Sequence, residues 1–136
     1  GKTSDLPVQL LDIYPTLIEL SGLPPDPIHQ GHSLVPILKN SASEWPYMAR
    51  TSFGPGNYSI VSKSHRFIQY NDGTEEFYDR LNDPNEWYSL INDQALKGVI
   101  EEHRNKIPNQ RHKILGEGSL GHESYIFSEK GALDPN

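Results

Sequence analysis

The stretch from Phe53 to Ile91 constrains this chain more than any other, because strand-forming runs alternate there with residues that reverse the backbone. Tyr58–Lys63, Arg66–Tyr70 and Thr74–Arg80 are rich in Tyr, Phe, Ile and Val, which suit a pleated, half-buried surface. Asn71-Asp72-Gly73 separates the last two runs, and Asp-Gly supplies the positive φ angles of a tight hairpin turn. Ser64-His65 marks the other reversal. Asn82-Asp83-Pro84-Asn85 is a turn cluster, and Pro84 cannot donate to a ladder, so the sheet stops there. Trp87, Leu90 and Ile91 then bring apolar weight back, and burial of Trp87 against the sheet is expected. With Pro46–Ser52 as a first strand, the expectation is an α+β fold: a small antiparallel meander with a C-terminal helix packed on one face.

That helix is expected over Gln94–Ile107, capped by Asp93 and stopped by Pro108. Leu96, Val99, Ile100, His103 and Ile107 fall on one face, while Gly98 costs about 1 kcal/mol relative to Ala. Upstream, Leu6–Leu11 reads as a buried extended segment. Asp12 reads as the N-cap of a helix over Ile13–Ser21, with Pro15 tolerated in the first turn and Gly22 as the stop. Ser33–Leu38 repeats the device of a cap followed by Pro three residues on, and the proline-bearing Leu23–Gln30 between them is an extended loop. Past Ile107 the pattern loses periodicity; His122–Ser128 is the one candidate edge strand in what reads as an irregular arm.

Charge and composition exclude several functions. The 136 residues carry a net charge of −6 without a basic cluster, which argues against phosphate neutralisation and so against nucleic acid as a partner. No run is long enough to span a bilayer, so no membrane partner is expected, and no signal peptide is apparent. The absence of Cys removes disulfides, thiolate zinc sites and a Cys nucleophile. With 11 Gly and 11 Pro, many turns are expected.

Four motifs in order carry a family resemblance: Gly54-Pro55-Gly56-Asn57, Arg66-Phe67-Ile68-Gln69-Tyr70, Glu75-Glu76-Phe77-Tyr78-Asp79 and Asp83-Pro84-Asn85-Glu86-Trp87-Tyr88-Ser89-Leu90. Together they resemble the C-terminal region of the sulfatase family, in the alkaline-phosphatase-like superfamily, and are most similar to bacterial iduronate-sulfatase-like members. Leu11–Leu17, Gly22-Leu23-Pro24 and Gly31–Leu38 extend the resemblance over roughly residues 6–107. Val61 and His32 stand where the family often has Arg. The resemblance implies that residues 1–45 are the tail of the large sulfatase domain, that 46–108 form the C-terminal subdomain, and that 109–136 are an arm. It implies a sulfuric ester hydrolase as parent, with a formylglycine nucleophile made from Cys or Ser in Cys/Ser-x-Pro-x-Arg and with calcium on the sulfate oxygens. It also implies an exported protein. This chain has no such motif and no matching metal-site residues, so no catalytic or metal residue is carried over, no cofactor is assigned to it, and it is expected to be inactive alone. Its implied partners are the large catalytic domain and a sulfated carbohydrate in the parent.

Other chemistry is sparse. His29 and His32 have a possible ligand spacing but lack a nearby third ligand, and surface or capping roles explain them as well. Glu75 and Glu76 lie among the acidic residues of a hairpin with Asp72 and Asp79, yet adjacent strand residues point to opposite faces. A glycosidase pair needs convergent carboxyls about 5–9 Å apart, so edge solubility is the simpler reading. A Ser-His-Asp triad lacks its Gly-x-Ser-x-Gly elbow. The candidate site is the Gly54–Tyr58 loop, where glycines admit a ligand to the backbone and Asn57 and Tyr58 offer directional hydrogen bonds. In similar sulfatases such small-domain loops border the active-site mouth, so the resemblance implies Asn57 and Tyr58 as candidate substrate-rim residues, set against a plain strand-entry turn. The alternative function is an independent α+β interaction module that shares the sulfatase tail. Leu10, Leu11, Ile13, Leu17, Ile18 and Leu20 are more apolar side chains than one short helix can bury, so the isolated chain is expected to pair as a homo-oligomer.

Overall fold

The computed structural model describes residues 1–54 and 56–109. Four strands form one antiparallel sheet in the order β1-β2-β3-β4: Ala49–Ser52, Tyr58–Val61, His65–Gln69 and Glu75–Asp79. The helices are α1 (Ile13–Leu20), α2 (Val35–Lys39) and α3 (Lys97–Arg104). The meander arises because the reversals close locally. At the first, Ser62 N–H donates to the His65 carbonyl at 2.9 Å, and the Ser62 hydroxyl accepts the His65 amide at 3.0 Å. At the other, Tyr70 and Thr74 frame a three-residue loop, with Gly73 N–H bonded to the Tyr70 carbonyl. Gly73 there has a positive φ and Asp72 does not, so the turn is a type I turn with a bulge rather than one with positive φ at both Asp72 and Gly73, as Asp-Gly suggests.

The register puts Ile60 opposite Phe67 and Phe67 opposite Phe77, so all three share one face. Each is fully buried, and with Ile100 of α3 they make the core. Burying each such side chain contributes about 1.5–3 kcal/mol, which offsets the ordering of three short strands. Leu96, Val99 and Ile107 pack around this centre as the helical spacing predicts, and Leu90 and Ile91 return to it from the turn after β4. Asp93 caps α3's leading turn by accepting the Ala95 amide at 2.9 Å. The regular helix is shorter than Gln94–Ile107, because Gln94–Leu96 form a tight turn and the chain leaves the helix at Asn105. Arg104 fixes α3 to β4: its Nε and Nη2 donate to Glu75 at 2.8 and 2.6 Å, while its Nη1 bonds Glu101.

Residues 89–91 close the outer edge of β4. Leu90 N–H donates to the Phe77 carbonyl at 2.7 Å, and the Ser89 hydroxyl accepts the Phe77 amide. This geometry corrects the expectation for Trp87. The turn from Asp83 puts Glu86 in the left-handed region at φ 57°, and Trp87 emerges 73% exposed. Glu86 instead turns its carboxylate to Arg66 Nη1, 3.0 Å away. Left-handed backbone at a non-glycine residue costs on the order of 1–3 kcal/mol, and the ion pair helps to offset it.

The segment before the sheet is held differently from the expected cap. Asp12 is buried, and its carboxylate does not cap α1: Oδ1 accepts the His32 amide at 2.9 Å, and Oδ2 accepts the Gln9 amide at 3.0 Å, capping the tight turn Leu10–Asp12 that precedes the helix. The Thr16 hydroxyl donates to the Asp12 carbonyl and accepts the Leu34 amide at 2.8 Å. Gly31 lies so close to Leu11 that an added Cβ would fall 2.0 Å from its carbonyl oxygen, so only glycine brings His32 to Asp12. α1 stops as expected, with Gly22 and Leu23 amides bonded back to Glu19 and Ile18. Ser33 accepts the Val35 amide, weakly at 3.3 Å, ahead of α2. Leu6–Leu11 is not the buried segment expected, since Val8, Leu10 and Leu11 are exposed. His122–Ser128 and the arm beyond Asn109 lie outside the described residues.

Candidate functional site

Both hairpin loops that follow β1 and β3 lie at the same end of the sheet, opposite the Ser62–His65 turn. Asn57 joins them. Its Nδ2 donates to the Phe53 carbonyl at 3.0 Å, and its Oδ1 accepts the Asn71 amide at 3.0 Å. Phe53 N–H donates in turn to the Asn57 carbonyl at 3.1 Å. Gly56 sits at φ 83° with its Cα hydrogens against Asn71, where a Cβ would be 2.4 Å from the Asn71 Oδ1. The loop is therefore set by its contact with the neighbouring hairpin, and both ends of the Asn57 side chain hold it there. Tyr58 opens β2 opposite Gln69 and is half-buried. Asn71, by sequence a turn residue, is the partner that fixes the loop; its place at a hairpin tip carries no signal of that.

The neighbouring side chains are polar and ordered. Asp72 accepts both the amide and hydroxyl of Thr74, which hold its carboxyl below the usual carboxylate range. Tyr70 donates its hydroxyl to Glu76 at 2.9 Å, and this bond to a carboxylate raises the phenol's pKa. Tyr78 is pushed up to about 12, by burial first and then by Glu76. At the far end, Asn82 and the following backbone keep the Asp79 carboxyl low. Glu75 and Glu76 point apart, to Arg104 and Tyr70, so they form no convergent acid pair.

The two loop histidines also part. His29 stacks on Tyr14 with ring centroids 4.1 Å apart and lies 3.7 Å from Asp26. His32 stacks on Tyr47 at 3.5 Å, beside Trp45, whose Nε1 donates to the Pro7 carbonyl. Among the described residues no three His, Asp or Glu side chains gather to hold a metal ion. Nor is any helix among them long and apolar enough to cross a membrane. The exposed side of α1 and the following loop border a cleft of about 570 Å³ lined by Tyr14, Ile18, Leu23 and His29.

Comparison with known proteins agrees with this architecture. A family model described as N-sulphoglucosamine sulphohydrolase, C-terminal, matches residues 1–113. A sulfatase of Formosa agariphila is 37% identical over 130 residues, which cover 96% of this chain and 26% of the relative. The delta 4,5-hexuronate-2-O-sulfatase of Bacteroides thetaiotaomicron is 30% identical over 104 residues, covering 69% of this chain and 21% of the relative. A protein solved with its substrate D-glucosamine-2-N,6-O-disulfate shares the fold at TM-score 0.56 and 23% identity, over 74% of this chain and 25% of its own. The phosphonate monoester hydrolase of Agrobacterium radiobacter does so at TM-score 0.52 and 23% identity, over 70% of this chain and 23% of its own. The chain thus spans about a quarter of the length of the curated relatives it matches.

Proposed function

This chain belongs to the sulfatase family, as its C-terminal region, and from that premise we propose that it supports the catalytic domain of a sulfuric ester hydrolase and lends that enzyme part of its substrate rim. The observation that carries the reading is the division of labour along the chain. Residues 46–107 build their own core, whereas Leu10, Leu17 and Leu20 of the N-terminal segment are 85%, 57% and 61% exposed. That apolar side suits the large domain of the parent, for which residues 1–45 are the closing helices. Without it, the same side pairs copies of the chain, which light scattering over a concentration series would detect.

The rim is the Gly54–Tyr58 loop, with Asn57 and Tyr58 as its substrate-rim residues and Asn57 fixing the loop on Asn71. The substrate class is a sulfated carbohydrate. A hexuronate 2-O-sulfatase among the relatives and an aminosugar sulfate bound by a structural neighbour support that class without choosing the sugar. Calcium and the formylglycine nucleophile belong to the remainder of the parent, whose sulfate transfer they serve. This chain alone then turns over no sulfate ester, and the parent is exported.

The test has two parts. The reading frame upstream should encode Cys/Ser-x-Pro-x-Arg, and its absence would sink the proposal. In the full-length enzyme, Asn57→Ala and Tyr58→Ala should raise KM for a sulfated disaccharide with kcat retained; unchanged KM in both would remove the rim role.

A further inference from the structure

The core of the sheet contains a titratable group that no step above uses. His103, on the inner face of α3, is 1% exposed. Its Nδ1 lies 2.8 Å from the Val99 carbonyl, which can only accept, so Nδ1 carries the proton in the neutral ring. Nε2 is then a bare lone pair, and it is buried without a hydrogen-bond partner among the described residues. The ring meets Phe77 edge to face at 5.3 Å and His65 at 6.2 Å. His65 itself stacks on Phe77 and contacts the Ser64 hydroxyl through Nδ1. On the sheet, Asp79 faces His65 across the β3–β4 ladder. On the helix, Glu102 and Lys106 flank His103 with opposite charge, and Arg104 is committed to Glu75 and Glu101.

We propose that His103 is an acid-released latch between α3 and the sheet: neutral, it packs as a core side chain; protonated at Nε2, it undocks the helix. A second N–H at Nε2 has no acceptor among the described residues, and taking a cation into this site costs far more than burying the neutral ring. Positive charge on His65, 6.2 Å away, adds repulsion. Burial holds the His103 pKa below its ordinary 6.5, an effect that the Val99 bond only partly opposes. The sign follows from linkage. Between that lowered value and 6.5 the unfolded chain binds more protons, so stability rises with pH across the interval and falls on acidification through it. Asp72 and Asp79, with carboxyls held low, contribute their own acid loss only well below this window.

The experiment follows the folding equilibrium of the chain by denaturant melts from pH 8 to pH 5. One coupled proton lowers the folding constant by at most about tenfold per pH unit. In His103→Gln, which keeps a donor for Val99, that fall should flatten, and in His65→Asn it should be reduced but present. Two measurements on the unaltered chain stand even if the variants do not fold. The His103 imidazole should titrate by NMR with a midpoint below 6.5, and hydrogen-exchange protection of Ile100–Arg104 should fall with pH ahead of that of β2. A midpoint at or above 6.5, α3 protection that does not change with pH or falls only together with β2, or an undiminished slope in a folded His103→Gln would each overturn the latch.

Discussion

The sheet with α3 and the segment around α1 solve the same problem in opposite ways. Around the sheet, Ile60, Phe67, Phe77 and Ile100 exclude water from one centre, and polar groups serve the edges. In the N-terminal segment the buried groups include Asp12 and Thr16, and much of the apolar surface faces outward. There the tie is hydrogen bonding between two separate motifs: Asp12 to the His32 amide, 20 residues on, and Thr16 to the Leu34 amide, 18 residues on. A region with its own apolar core can stand by itself. A region held by a buried carboxylate has a defined shape before its apolar side is covered, which is what a docking element needs. Among the described residues the two touch where His32 stacks on Tyr47 and where Arg50 meets Gln9 and Gln30.

The strongest way to break this contrast is Phe67→Ala. It opens a cavity at the centre of the sheet and should cost about 3–5 kcal/mol, read as loss of the strand signal in denaturant melts. A loss under about 1 kcal/mol would mean that the sheet has no single centre. Asp12→Ala strips the acceptor from two backbone amides, and hydrogen bonds to a charged group put the cost at about 2–4 kcal/mol. Its effect should be local: Trp45 fluorescence changes at lower denaturant while the sheet melts as before. Simultaneous melting would show that the two regions are one cooperative unit.

Gly56→Ala sharpens the comparison at the loop end. The new Cβ meets Asn71 and the backbone keeps a φ that L residues rarely adopt, so about 1–3 kcal/mol should be lost from the sheet. An unchanged midpoint would show that the two loops are not held together by this contact. The smallest effect belongs to Trp87→Ala. At 73% exposure its removal should change stability by no more than about 0.5 kcal/mol. A cost above about 2 kcal/mol would place Trp87 in a contact that the described residues do not make.

Local chemistry made much of this readable. β-branched and aromatic runs with Asp-Gly and Ser-His reversals between them specify a meander, because hairpin pairing needs only neighbouring segments. The helix face through Val99, Ile100 and His103 follows from spacing alone, as do the Gly22 stop and the Asp93 cap. What tertiary structure decided are the contacts between segments far apart in sequence. Asp12 looks like a cap because a cap and a buried acceptor use the same residue; only the approach of Gly31 to Leu11 brings the His32 amide to it. Asn57 meets Asn71, and Glu86 turns to Arg66, only once the strands are in register. Trp87 shows the reverse error: apolar character says what a side chain gains by burial, but the direction of the backbone after a left-handed Glu86 settles whether it is buried.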